Sequence, residues 1–149
     1  ICAMMLPDGM SRAAFKQLEE PTPDFDALIS PVAGGAGTVV DPARAGPVFA
    51  QLSPPALVAA ALPRLQAEPH GPRATALRLT AARWGSLPRT YVETLHDRTI
   101  PIASQRLMQE LSPGARVVTL DADHSPYLSA PEALTAALIA AIPQGPGDA

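Results

Sequence analysis

The chain has 149 residues, of which 47% are hydrophobic and 17% are charged, and its formal net charge at pH 7 is -3. This length and composition are typical of one globular domain. The net negative charge gives no electrostatic reason to expect nucleic acid or an anionic membrane surface as a partner. The single cysteine, Cys2, cannot form an internal disulfide. This favours a reducing compartment, so we expect a cytoplasmic location. The longest apolar run, residues 133–142, is too short to cross a bilayer, so no membrane partner is expected.

Residues 1–10 begin with a short apolar run, Ile-Cys-Ala-Met-Met-Leu, which is closed by Pro7-Asp8-Gly9. This pattern predicts the end of a buried core strand that runs into a turn. The run has neither an initiator methionine nor a basic segment ahead of it, as a translation start or a signal peptide would. We therefore expect the chain to be the interior of a longer one.

Residues 11–86 are rich in proline and glycine, and we call them the cap region. Because proline removes an amide donor and clashes with the preceding helical turn, only short helices and turns are expected there. The clearest helix spans residues 54–62, with Ser53 as its N-cap residue and Pro54 at its first position. Such a segment between two core strands is typical of a cap folded over a site.

Residues 87–143 have the pattern of a strand-helix-strand unit followed by a last helix. Strands are predicted at residues 90–95 and 116–120, with a helix between them that ends at Ser112-Pro113-Gly114. A right-handed crossover with parallel strands is the expected connection. The sequence Ser129-Ala-Pro-Glu132 is a capping-box signature for the last helix, and residues 144–149 are predicted to be a flexible tail.

Each of the two predicted core strands ends near a group that can do acid-base chemistry, Asp97 after the first and His124 after the second. Because parallel strands present their carboxyl ends at one edge of a sheet, the carboxylate can accept a hydrogen bond from the imidazole there. A structural histidine, a metal ligand and a general base are the three interpretations of His124. Asp121 and Asp123 are further partners for His124, but their local spacing favours a role in capping the loop.

A divalent metal site is the weaker alternative. His70, His96 and His124 are the available imidazoles, but no HxH, HExxH or paired spacing accompanies them, so neither a metal nor another cofactor is expected. His96 neighbours Asp97 and is predicted to point to the opposite face as a supporting or surface residue. Several large side chains are expected to form an apolar pocket for an acyl or alcohol group, and these are Met4, Met5, Phe49, Trp84 and Tyr127.

The last sixty or so residues carry the most specific motifs. The segments are Pro88-Arg-Thr-Tyr-Val, Asp97-Arg-Thr-Ile-Pro101, Gln105-Arg106 and Leu120-Asp-Ala-Asp-His-Ser-Pro-Tyr-Leu-Ser-Ala-Pro-Glu132. Together they resemble the C-terminal half of the α/β-hydrolase branch that includes bacterial esterases, plant methylesterases and hydroxynitrile lyases. The resemblance implies an α/β fold, the C-terminal part of an α/β hydrolase, with mostly parallel strands, flanking helices and a proline-rich helical cap.

The resemblance also implies a serine esterase in which Asp97 is the catalytic acid and His124 the base. In this fold the serine precedes the acid and the histidine along the chain, yet no Gly-x-Ser-x-Gly occurs in the 149 residues. We therefore expect the nucleophile and the oxyanion hole upstream of Ile1. The lyases of the branch carry lysine directly after the histidine, where this chain has Ser125, which favours ester hydrolysis over cyanohydrin cleavage.

Two other interpretations stay open at this stage. The chain or its parent could be a non-catalytic relative that binds a small hydrophobic molecule or a protein through the cap, or it could be one half of a split protein. The expected partners are a small hydrophobic ester and the missing N-terminal half, in the same or a separate chain. Because a half-sheet leaves an exposed edge, association with a second copy is the other expected outcome.

Overall fold

The computed structural model describes residue 1 and residues 3–143, so Cys2 and the predicted tail at 144–149 lie outside the described residues. In the described part of the chain, no helix is long and apolar enough to cross a membrane. A short 3-10 turn spans Leu62–Arg64. The other elements in chain order are α1 (Arg12–Phe15), α2 (Pro23–Asp26), β1 (Ile29–Pro31), β2 (Gly37–Val40), α3 (Pro42–Phe49), α4 (Pro55–Ala61), β3 (Glu68–Pro69), α5 (His70–Ala74), β4 (Arg89–Thr94), α6 (Ile102–Leu111), β5 (Ala115–Leu120), α7 (Pro126–Ser129) and α8 (Pro131–Ala141).

The strand-helix-strand unit is formed by β4, α6 and β5. The two strands pair in parallel, with Thr94 opposite Leu120 at their carboxyl ends. Backbone bonding continues past the strands, because the amide of His96 donates to the carbonyl of Ala122 at 3.0 Å. The predicted parallel pairing is confirmed, and the loops that follow the two strands leave the sheet at the same edge.

Successive side chains of β4 point to opposite faces of the two-stranded sheet, and an apolar cluster forms on each face. Tyr91 packs with Met108 of α6 on one face, and Val92 packs with Leu120 and with Leu134 of α8 on the other. Full burial of a side chain of this size stabilises a fold by about 1.5–3 kcal/mol, so these contacts hold both helices to the sheet. With one helix packed on each face, the sheet is a rigid support for the loops that leave its edge.

The cap region contains a small antiparallel sheet, which the sequence analysis did not predict. Its strand order is β1-β2-β3, with Ile29 opposite Val40 and Gly37 opposite Pro69. Glycine is required at position 37, because a Cβ there would collide with the carbonyl oxygen of Glu68. The expectation of only short helices and turns between residues 11 and 86 was therefore wrong.

The core strand predicted at the start of the chain is also not formed in the described part of residues 1–10. Met5 and Leu6 are buried, as a strand end would be, but their segment has no strand partner. The amide of Met5 instead donates to the sulfur of Met108 at 3.3 Å, and the Tyr91 hydroxyl donates to the carbonyl of Ala3 at 3.0 Å. The backbone groups of Ala3 and Met5 are thus bonded to side chains of the core.

The two predicted helix N-caps were wrong for one shared reason. Ser53 precedes α4, but Pro54 occupies the N-cap position, and the Ser53 hydroxyl donates to Oδ2 of Asp123 at 3.0 Å. Ser129 precedes α8, and its hydroxyl donates to Oδ1 of the same carboxylate at 2.9 Å. Both helices begin at a proline, Pro55 and Pro131, and the residue directly before each proline is the N-cap residue. Each serine therefore lies one position outside the cap, where its hydroxyl contacts Asp123 instead.

Candidate active site

Asp97 and His124 meet at the edge where β4 and β5 end. The Nδ1 atom of His124 lies 2.8 Å from Oδ2 of Asp97. The Asp97 side chain is fully buried, whereas the His124 side chain is 23% exposed. A buried carboxylate beside an imidazole that still reaches the surface of the protein is the arrangement from which a histidine can exchange protons with a bound molecule.

The second oxygen of Asp97 fixes its own loop. Oδ1 accepts hydrogen bonds from the amide of Thr99 at 2.7 Å and from the amide of Ile100 at 2.8 Å. With both backbone amides on Oδ1, Oδ2 is directed to His124, where it accepts the Nδ1 proton. In that tautomer Nε2 is the basic nitrogen of the imidazole, as a general base requires.

The two neighbouring aspartates have different partners. Oδ1 of Asp123 accepts a hydrogen bond from the amide of Ser125 at 2.9 Å, which is the local loop-capping contact that the spacing predicted. Asp121 lies 2.6 Å from Nε2 of His96, and both of these side chains are largely exposed. His96 is thus at the surface, in line with its predicted placement, and neither aspartate takes the place of Asp97 beside His124.

A cavity of about 310 Å³ opens beside His124, and its walls come mostly from the cap region. The ring of Phe49, at the end of α3, stands edge-on to the imidazole with 5.4 Å between ring centroids. The ring of Phe25 packs against Phe49 in the same edge-on manner at 5.8 Å. The apolar lining residues are Met4, Phe25, Ile29, Val40, Phe49, Leu65 and Ile100, and the lining also carries the charged side chains of Arg12, Glu68 and Arg73.

The structure places two of the five predicted pocket residues, Met4 and Phe49, on this cavity. Met5 is buried in the cluster around Met108, on the side of the sheet that α6 covers. Trp84 lies under the guanidinium of Arg89 at 4.9 Å, and Tyr127 is 63% exposed. Met5, Trp84 and Tyr127 are large side chains that the predicted arrangement put next to the site, but the segments that carry them place them elsewhere.

Sequence reasoning missed the part of the cavity that the small antiparallel sheet provides. Ile29 and Val40 face each other across β1 and β2, so one hairpin brings both to the cavity. Gly34 and Gly35 both have positive φ in the turn between these strands. A Gly-Gly pair between two β-branched runs is a hairpin signal, and it could have revealed this wall.

The described residues hold no group of three or more histidine, cysteine, aspartate or glutamate side chains that could bind a metal ion. His70 lies on α5, whereas His96 and His124 lie in the loops after β4 and β5. His124, whose Nδ1 contacts Asp97, is the imidazole that borders the cavity.

Comparisons with known proteins agree with this architecture. A pyrethroid hydrolase of Sphingobium wenxiniae is 53% identical over 53 residues, which are 35% of this chain and 19% of that protein. A chloroplastic protein of Arabidopsis thaliana named methylesterase 11 is 41% identical over 83 residues, which are 55% of this chain and 21% of that protein.

Among solved structures, a pyrethroid hydrolase from Sphingobium faniae superposes with a TM-score of 0.77 at 33% identity, covering 93% of this chain and 57% of that one. The chain thus spans little more than half the length of that relative. The model of the alpha/beta hydrolase family matches residues 1–138, nearly all of the sequence. The chain belongs to the alpha/beta hydrolase family.

Proposed function

We propose that this chain supplies the acid and base of a carboxylic-ester hydrolase. The observation that carries the proposal is the 2.8 Å contact between Nδ1 of His124 and Oδ2 of Asp97 at the ends of two parallel strands. Relatives named as a pyrethroid hydrolase and a methylesterase support the reaction class. The nucleophilic serine and the oxyanion donors of this proposal lie in a segment outside the 149 residues, which contain no Gly-x-Ser-x-Gly.

In the proposed mechanism His124 moves a proton twice. Nε2 takes the hydroxyl proton as the serine oxygen attacks the ester carbonyl, and it then gives that proton to the departing alcohol oxygen. Water then attacks the acyl-enzyme while Nε2 takes one of its protons, and Nε2 returns that proton to the departing serine oxygen as the carboxylic acid is released. Oδ2 of Asp97 stabilises the imidazolium that forms in each half-reaction.

The cavity beside His124 supports a small, mostly apolar ester as the substrate. Its wall carries phenylalanine, methionine and aliphatic side chains next to the imidazole. Such a wall favours an acyl or alcohol group with hydrocarbon character, because burial of apolar surface is the main favourable term in binding it.

The test is turnover of p-nitrophenyl butyrate by the protein together with the segment that carries the nucleophile. We expect His124→Ala to lose turnover by several orders of magnitude, because no other group takes the serine proton. His96→Ala is the matched control, since His96 also contacts an aspartate but lies at the surface. Unchanged turnover in His124→Ala, or equal losses in both variants, would refute the proposed base.

A further inference from the structure

The carboxylate of Asp123 is completely buried next to the proposed base, yet the mechanism above does not use it. Oδ1 accepts hydrogen bonds from the amide of Ser125 and from the hydroxyl of Ser129, both at 2.9 Å. Oδ2 accepts from the amide of Leu52 at 2.8 Å and from the hydroxyl of Ser53 at 3.0 Å. Four donors on one carboxylate form a built site, because burying a charge without such partners is very costly.

The two oxygens bind two different parts of the molecule. Oδ1 holds the chain that follows His124, whereas Oδ2 holds cap-region residues about seventy positions away. The hydroxyl of Ser125 adds a third tie, since it donates to the carbonyl of Phe49 at 2.9 Å. The ring of Phe49 is the one that stands against the imidazole of His124. Asp123 therefore joins the loop that follows His124 to the segment that follows Phe49.

The arrangement requires a carboxylate for a geometric reason. The backbone amides of Leu52 and Ser125 donate to different oxygens of Asp123. An asparagine has only one acceptor oxygen, so one of these two buried amides would face an NH₂ group and lose its partner. An alanine would leave both amides and both hydroxyls without their acceptor.

We propose that Asp123 is a positioning residue that holds the Phe49 wall of the cavity against His124. The acyl or alcohol group of a bound ester is then held in a defined position relative to Nε2 of His124. This inference rests on the proposed ester hydrolysis, and it adds a determinant of ester selectivity at that site. Asp123 touches neither the substrate nor a reacting atom. It acts by setting the placement of Phe49 relative to His124. Small displacements of such groups cost rate disproportionately, because the reacting atoms must be held in a near-attack arrangement.

The test uses two variants that each alter one buried carboxylate. Asp123→Asn removes one acceptor from the site, and Glu93→Gln does so in the core, where Glu93 is equally enclosed and accepts bonds from Arg106, Gln109 and Thr119. Both variants are compared at a temperature at which circular dichroism shows them folded. Ser53→Ala, which removes one donor and leaves the carboxylate in place, is the milder variant if Asp123→Asn does not fold.

The informative readout is a ratio of kcat/KM values for p-nitrophenyl hexanoate and p-nitrophenyl acetate. Partial unfolding lowers both values equally and leaves their ratio unchanged, whereas a displaced Phe49 wall affects the longer acyl chain more. We expect the ratio to fall by about tenfold in Asp123→Asn, in the same direction in Ser53→Ala, and not at all in Glu93→Gln. An unchanged ratio in both site variants would show that Asp123 is only structural and would overturn the proposal.

Hydrogen exchange provides a readout that does not depend on turnover. In Asp123→Asn we expect faster amide exchange in residues 50–53 and in residues 124–129 together, and in neither segment in Glu93→Gln. Exchange that stays unchanged in residues 50–53 would refute the link between the cap region and the His124 loop. If the wild-type protein, together with the segment that carries the nucleophile, hydrolyses neither ester, the proposed function fails, and linked exchange in the two segments would still support the tie through Asp123.

Discussion

Asp97 and His124 lie 27 positions apart in the chain and meet with 2.8 Å between Oδ2 and Nδ1. The carboxylate divides its oxygens, because Oδ1 accepts the amides of Thr99 and Ile100 and thereby leaves Oδ2 for the imidazole. The orientation of His124 thus depends on a turn in the backbone of the preceding loop.

Asp97→Asn is expected to keep the fold and to lose ester turnover. The asparagine oxygen can still accept from the loop amides, but its NH₂ group then faces His124 and selects the wrong imidazole tautomer. A loss of about four orders of magnitude in kcat accompanies this change in serine proteases. Asp121→Asn, at the exposed contact with His96, is the matched control. Rates close to wild type in Asp97→Asn would assign the acid to another residue.

Gln105→Leu is expected to destabilise the protein through the loop that carries Asp97. Gln105 is completely buried, accepts the amide of Thr94 at 3.0 Å, and donates to the carbonyls of Thr94 and Ile100 at 3.1 and 2.8 Å. Leucine leaves these backbone groups unsatisfied, and we expect a loss of about 2 kcal/mol or more in the free energy of unfolding. Urea denaturation measures it against the exposed control Gln17→Leu. Equal stability of the two variants would contradict this account of the loop.

Glu93 is expected to make stability depend on pH. Burial raises the pKa of its carboxyl group, but hydrogen bonds from Gln109, Arg106 and Thr119 and the charge of Arg106 outweigh burial and lower the pKa below 4.5. The unfolded chain therefore binds more protons near this pH, so the carboxylate stabilises the fold above pH 4.5 and loses this contribution as the pH falls through the folded-state pKa.

The measurement for Glu93 is denaturant unfolding of wild type and Glu93→Gln at a series of pH values. We expect the wild-type protein to exceed the variant in stability by a constant amount at neutral pH, and this difference to shrink on acidification below pH 4.5. A difference that grows in acid would mean that the pKa of Glu93 is raised in the folded state.

Gly114→Ala is expected to weaken the connection between α6 and β5. Gly114 has φ of +94°, and an added Cβ would lie 3.2 Å from Nη2 of Arg89. The left-handed backbone alone costs an L-residue about 1–2 kcal/mol, which a thermal unfolding midpoint will register. Gly71→Ala in α5, where a Cβ meets no atom within 4 Å, should be neutral or stabilising. Similar midpoints for the two variants would argue against strain at position 114.

The sequence alone was sufficient to predict the strand-helix-strand unit and the contact between Asp97 and His124. Both rest on local information, since β-branched runs, a helical spacing and a closing Ser112-Pro113-Gly114 specify β4, α6 and β5, and parallel pairing then brings the following loops to one edge. The loop-capping role of Asp123 toward Ser125 was predictable for the same reason, because donor and acceptor are two positions apart.

Contacts between residues far apart in sequence were decided only by the tertiary structure. Ser53 and Ser129 have the sequence context of helix N-caps, but the buried carboxylate of Asp123 accepts both hydroxyls. Phe49 reaches His124 because α3 and the β1-β2 hairpin fold over the sheet edge, a placement that no local pattern encodes. Apolar side-chain size and the predicted arrangement of the elements suggested Met5, Trp84 and Tyr127 for the cavity, whereas the segments that carry them determine where they pack. Residue types and their spacing thus specify the pairing of Asp97 with His124, and only the packing of the cap region against that pair specifies the walls of the cavity.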